Sequence, residues 1–252
     1  MRRTASLLPM LLLASPGVAP PSAAPNGEAV IRQMHERYVK TWYHDLTFVQ
    51  TTTRPGRPDE TWYEAGSIPG KLRIDIAPID SMNAFMYVGD SAYAFRGGKL
   101  VNARADRNLL MTLGFDVYGQ PVETTLAQLR GEGIDLAKAH EDTWKGKRVW
   151  VVGADAGDST TSQFWIEKER LLFVRLIEQR RNPAKPDAPP TILDAEFNNY
   201  QRLGRAWVAP ECVIRVNGKE FQREAYRDVV ADAKLSPALF DTREYHRPEW
   251  VK

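Results

Sequence analysis

Lys71-Leu72-Arg73-Ile74-Asp75-Ile76 is the stretch on which the fold class turns. Leu72, Ile74 and Ile76 alternate with Lys71, Arg73 and Asp75. A period of two belongs to a β-strand with one face in a core and the other in water, an arrangement that antiparallel sheets allow. The pattern therefore predicts a half-exposed antiparallel strand. Further short strands are expected at 83–88, 91–95 and 99–102. Between them stand Gly89-Asp90 and Gly97-Gly98, hairpin signals because the tight turns joining twisted strands need positive φ. Upstream, Leu46, Phe48 and Gln50 alternate with Thr47, Val49 and Thr51, and the run stops at Pro55-Gly56 before a returning strand at 59–66. Together these segments predict a meander.

A helix precedes them. Asn26 is a good N-cap, and Ile31, Met34, Tyr38 and Trp42 follow at spacings of three and four, with Arg32, Glu36, Arg37 and Lys40 on the other side. After the meander, Leu109, Leu110, Leu113 and Phe115 suit a short helix. Pro121 opens another, with Val122, Leu126 and Leu129 on one face, ended by Gly131 and Gly133. Strands are then expected at 148–152, 162–167, 171–179, 191–203, 206–216 and 220–230, with Asn217-Gly218 as a hairpin turn. Residues 182–190 are Pro-rich and read as an exposed loop, and the tail after Leu235 as irregular chain. The sum is mainly β with some α: about ten or eleven antiparallel strands, a number at which a twisted sheet tends to curl. Helices on its concave side would leave room for an internal apolar cavity.

The first residues bear on compartment. Arg2 and Arg3 precede an apolar run from Leu7 to Ala14, and small residues end at Ser22-Ala23-Ala24. This is the layout of a secretory signal peptide, too short to span a bilayer. The expected organisation is a signal peptide at 1–24 and a single domain at 25–252. Cys212 is the only cysteine, so no internal disulfide is available and stability must come from a hydrophobic core. Lys and Arg number 34 against 32 Asp and Glu. Without Arg2 and Arg3 the two counts are equal, which offers no general attraction to nucleic acid or anionic lipid. Seven Trp, nine Tyr and nine Phe suit a β-rich interior or the lining of an apolar pocket.

Chemistry is harder to find. His35, His44, His140 and His246 have no metal-ligand spacing, and there is no Gly-x-Ser-x-Gly elbow, phosphate loop or dinucleotide fingerprint. Cys212 lies in a strand-like segment and reads as a small buried residue. Asp75, Asp80, Asp90 and Asp106 fall on loops or solvent faces, and none pairs for acid–base work. No catalytic residue, metal or cofactor is assigned. Phe85, Tyr87, Tyr93, Phe95, Phe164 and Phe173 either line a ligand cavity or pack as plain core.

The order of segments resembles the periplasmic lipoprotein-carrier family of Gram-negative bacteria. The likeness runs through Leu46-Thr47-Phe48-Val49-Gln50-Thr51 after the first helix, then Gly66-Ser67-Ile68-Pro69-Gly70-Lys71-Leu72-Arg73, and the hairpin Val88-Gly89-Asp90-Ser91-Ala92-Tyr93. It continues in Gln163-Phe164-Trp165-Ile166-Glu167, Trp207-Val208-Ala209-Pro210 and Leu235-Ser236-Pro237-Ala238-Leu239-Phe240-Asp241, covering most of 28–242. The resemblance implies an unclosed β-barrel lidded by helices, with an apolar cavity for acyl chains. It implies a monomer in the periplasm that serves a lipid or lipoprotein cargo, with inner-membrane donor and outer-membrane acceptor proteins as partners. On that reading Leu72, Ile74, Phe85, Tyr87, Tyr93 and Phe95 are wall residues, joined by Phe164 and Phe173, while Leu109, Leu110, Leu113 and Phe115 form the lid. Family members carry an arginine just before the proline of the Pro-Gly-Lys segment, where it latches the lid. Here Ile68 takes that place, so the latch is expected to differ. Two other classes compete: an envelope sensor module of the same fold that binds a protein partner, and an enzyme acting on a lipid or envelope polymer.

Overall fold

The computed structural model describes residues 25–182 and 184–251, and the segment read as a signal peptide lies outside them. Helix α1 spans Gly27–Tyr38, and the Asn26 side chain accepts from the Ala29 N–H at 2.9 Å. Trp42 lies beyond the helix end but stays buried, its ring 3.9 Å from that of Tyr118. Six strands follow: β1 Asp45–Thr53, β2 Glu60–Ser67, β3 Lys71–Ile76, β4 Ala84–Val88, β5 Ser91–Arg96 and β6 Lys99–Ala105. The crossing segment holds α2 at Leu109–Gly114, a 3-10 turn at Asp116–Tyr118 and α3 at Val122–Gly131.

The second run is β7 Asp135–Trp144, β8 Lys147–Gly153, β9 Gln163–Glu167, β10 Leu172–Arg180 and β11 Thr191–Asn198. A small ribbon, β12 Gln201–Leu203 with β13 Ala206–Val208, leads to β14 Glu211–Val216 and β15 Lys219–Ala231. One 13-stranded sheet results, in the order β6-β5-β4-β3-β2-β1-β15-β14-β11-β10-β9-β8-β7. The pairings within it are antiparallel, so two meanders run outward from the central β1–β15 pair, which spans Leu46↔Ala231 to Thr53↔Arg223. β6 and β7 are the two edges and do not pair with each other. The sheet is therefore a large, open, antiparallel one carrying helices, as the alternation pattern predicts.

Three details differ from expectation. β7 is a strand that the alternation does not announce. The single strands expected at 191–203 and 206–216 are each broken, the first at Asn199, which takes φ +60°. The largest departure concerns β3. Arg73 and Asp75, expected on a solvent face, are buried, because the tail after Leu235 folds back over them through a 3-10 turn at Pro237–Phe240. Arg73 donates to Asp75 through Nε (2.7 Å) and Nη2 (2.8 Å), and to the Leu239 carbonyl through Nη1 (2.8 Å).

The helices fill half of the concave side. Ile31, Met34 and Tyr38 of α1 pack with Leu113, Leu126 and Leu129 against Trp150, Val152, Phe164 and Phe173. The Tyr118 hydroxyl accepts from the Phe173 N–H at 2.9 Å, so this polar atom is satisfied inside the apolar cluster. The other half of the concave side, beneath β2–β5, is not filled in this way.

Candidate functional site

Strand register decides which side chains share the open half. Glu64 stands opposite Ile74, and Ile74 opposite Phe85; Leu72 stands opposite Tyr87, and Tyr87 opposite Ala92. Paired residues point to the same face, so Ile74, Phe85 and Tyr87 share the concave one. Across the sheet, Leu176, Leu193 and Ile214 complete the wall, and Leu109 and Leu110 of α2 form one side. The cleft, open to solvent along one side, measures about 350 Å³, at the low end of the size range of small-ligand sites.

Of the residues read as wall or lid, Ile74, Phe85, Tyr87, Leu109 and Leu110 meet at this cleft. Tyr93 borders it through its strand. Its register opposite Met86, however, turns the side chain to the convex face, where it packs near Phe95 and Tyr245. Phe95 is fully buried in that convex cluster. Leu72 and Phe115 flank a separate crevice of about 20 Å³ beside Phe48 and Met111, room for little more than a water molecule. Phe164, Phe173 and Leu113 are fully buried in the filled half around α1.

The turn carrying Ile68 is tied to the segment between α2 and α3 by Asp116. Ile68 packs against the main core cluster, and the Gly70 N–H donates to Asp116 Oδ1 at 2.9 Å. Burial pushes the Asp116 carboxyl up to about 6, partly opposed by that backbone hydrogen bond. The Asn108 side chain caps α2, accepting from Leu110 N–H at 3.0 Å and Met111 N–H at 3.3 Å, and so orients Leu110 toward the cleft.

Sequence reasoning missed the polar floor. Gln222 and Glu224 line the cleft, and Gln50, Thr52 and Glu64 are buried on the same face. Gln50 Nε2 donates to Thr52 Oγ1 at 2.7 Å. Glu224 Oε1 accepts from Gln222 Nε2 at 2.5 Å, and Oε2 from the Tyr226 hydroxyl at 2.7 Å. Burial, with the neighbouring Glu224 charge, pushes the Glu64 carboxyl well above the usual carboxylate range, and burial also raises that of Glu224. Cys212 next to Glu224 is buried, and burial pushes its thiol up, which disfavours the nucleophilic thiolate. The usable sequence signal was parity: Glu64 is in phase with Trp62, and Glu224 with Gln222 and Tyr226. Among the described residues no group of three or more His, Cys, Asp or Glu side chains is placed to hold a metal ion.

No protein-family model and no curated protein matches the chain. Solved structures do. A domain described as an outer membrane lipoprotein-sorting protein domain from Vibrio parahaemolyticus aligns at TM-score 0.56 and 12% identity, over 85% of this chain and 96% of that one. A DUF1329 family protein from Desulfovibrio piger aligns at TM-score 0.51 and 14% identity, over 85% and 95%. At such identities the likeness is one of fold. The chain has the fold of the lipoprotein-sorting domain, and the resemblance read from the order of its motifs holds at that level.

Proposed function

We propose that this chain is an envelope carrier or binding protein that holds an acyl or similar alkyl chain in the cleft between α2 and the open half of the sheet. The observation that carries the reading is the convergence of Ile74, Phe85, Tyr87, Leu109 and Leu110, from two strands and one short helix, on one cleft of about 350 Å³. Each CH₂ moved out of water there is worth about 0.8 kcal/mol, so a dry wall and a movable cover suffice for capture and release. Residues 1–24 act as the signal peptide on this reading, the compartment is the periplasm, and the chain works as a monomer between a membrane donor and an acceptor protein.

The test is native mass spectrometry of protein isolated from periplasm, with a fluorescent fatty-acid probe added to the stripped protein. Co-purified lipid and saturable probe binding are expected. Leu110→Glu, which places a charge on the cleft wall at a half-buried position, should weaken probe binding at least tenfold with the fold intact by circular dichroism. A protein that stays empty and ignores the probe would remove the carrier reading.

A further inference from the structure

The convex side of the sheet carries a concavity of its own. Trp150 and Val152 of β8 pack with the helices, so alternation turns Val149 and Val151 to the opposite face, where they form a separate apolar cluster with Trp165 and Val174. The end of the β7–β8 hairpin bends over that cluster. The Trp144 ring stands edge-on to Trp165 at 5.1 Å, and the Arg175 guanidinium lies 4.3 Å from the first ring and 4.6 Å from the second. Lys145 Nζ reaches Glu196 Oε2 and Asn198 Oδ1, each at 2.7 Å. These acceptors belong to β11, three strands along the sheet from β8. Under the moored hairpin end, bordered by the β9–β10 turn, lies a pocket of about 400 Å³.

Its lining is uneven in charge. Lys145, Lys147 and Arg170 line it together with one carboxylate, that of Glu167. Glu167 is only 3% exposed and both its oxygens are engaged, Oε2 by Arg170 Nε at 2.5 Å and Oε1 by the Glu169 N–H at 3.0 Å. The bond from Arg170 uses Nε and none of the Nη hydrogens. Lys145 is answered by Glu196, but Arg215 pairs with that same carboxylate. Lys147 and Arg170 also border the open groove beside the pocket, where Arg148 and Lys168 share the single carboxylate of Glu141. The base of the pocket is apolar, formed by Val149, Val174 and Trp144, and its rim carries the surplus of positive charge.

We propose that this pocket binds an aryl or short alkyl acid, its apolar body on Val149, Val174 and Trp144 and its carboxylate or phosphate against Arg170 and Lys147. A guanidinium presents parallel N–H donors that match two oxygens of such an anion, and charge-assisted hydrogen bonds are about twice as strong as neutral ones. A cation would meet the repulsion of the rim, and a neutral body would use only the base. The site is on the other face of the sheet from the cleft, so it does not rest on the carrier reading.

Titration calorimetry of the full chain with benzoate, phenyl phosphate and the neutral isostere benzamide tests it. At least one of the two anions should bind about tenfold tighter than benzamide, and the preference between them identifies the anion. Arg170→Met combined with Glu167→Gln, which leaves no buried carboxylate stranded, should abolish the preference for acid over amide. Lys147→Met, at an exposed position that cannot disturb the core, should weaken the anion about threefold and is the second variant should the first misfold. Equal binding of acid and amide, no binding of either anion, or anion affinity indifferent to these substitutions overturns the proposal. Benzoate binding lost in Leu110→Glu would put the ligand in the cleft and overturns it as well.

Discussion

Arg73 occupies a position that period-two alternation assigns to water, yet its side chain is completely buried. Its partners explain the difference. Leu239 and Tyr245 lie more than 160 residues away in sequence: the Leu239 carbonyl accepts from Nη1, the Tyr245 hydroxyl donates to Asp75 Oδ1 at 3.0 Å, and the Tyr245 ring lies 4.6 Å beneath the guanidinium. The tail that supplies them has no periodicity, so its docking is invisible in the local pattern of β3. Removing one member of a buried ion pair strands the other, at about 3–5 kcal/mol. Arg73→Ala should therefore lower the urea midpoint strongly, whereas Arg73→Met with Asp75→Leu should recover much of the loss. Asp116 makes a second residue-scale case. Its folded carboxyl lies above its unfolded range, so burial favours the protonated form. That contribution is fully present below about pH 4 and is lost as pH rises through about 6. Asp116→Asn keeps an acceptor for Gly70 and does not titrate. Its melting temperature should exceed that of the wild type at pH 7.5, and scanning calorimetry at pH 4.5 should find the gap narrowed. A gap independent of pH would show that the buried charge has no such cost.

At the scale of elements, the legible strands are those whose two sides differ in environment. β3, β4 and β5 carry both alternation and glycine turns, and the sequence reading places them within a residue or so. β7 carries neither full burial nor alternation, because an edge strand pairs on one side only, and half of its residues are exposed while only Leu136 is buried. Lys145-Gly146, both at positive φ, was the turn that could have revealed it. The helix α1 was legible from its cap and stripe, but not its closeness to the sheet. Gly27 opens it so near β8 that a Cβ would lie 2.3 Å from Val152 Cγ1 and 3.0 Å from the Leu136 carbonyl oxygen. Gly27→Ala should therefore cost about 1–3 kcal/mol, as overpacking of a tight core does. In a double-mutant cycle with Val152→Ala the two losses should be less than additive, because the shortest contact is gone. Additive losses would mean that the helix start adjusts without involving Val152.

For the molecule as a whole, the open sheet creates the site by dividing its concave side into a half filled by α1, α3 and their aromatic neighbours and a half left as a cleft. That division could not be read from residues singly. Phe164 and Phe85 are both aromatic residues on strands, but one lies under a helix and the other beside the space. Glu64 and Glu224 were equally illegible, since a glutamate in a strand is ordinarily on a solvent face, and only the neighbouring order β2-β1-β15 puts both on the concave face. The same division makes ligand binding and stability separable. A ligand bound only by the folded state stabilises it by about 2.7 kcal/mol at one hundred times its Kd, which for a chain of this size raises Tm by about 5–10 °C. Ala94, buried on the cleft wall opposite Phe85, offers a way to block the space without opening a cavity. Ala94→Phe should keep the resting Tm within a few degrees, because the new ring enters volume that is already empty, and should abolish the ligand-induced rise. A variant that keeps the full rise would place the ligand elsewhere on the protein, since no chain can share the cleft with that ring.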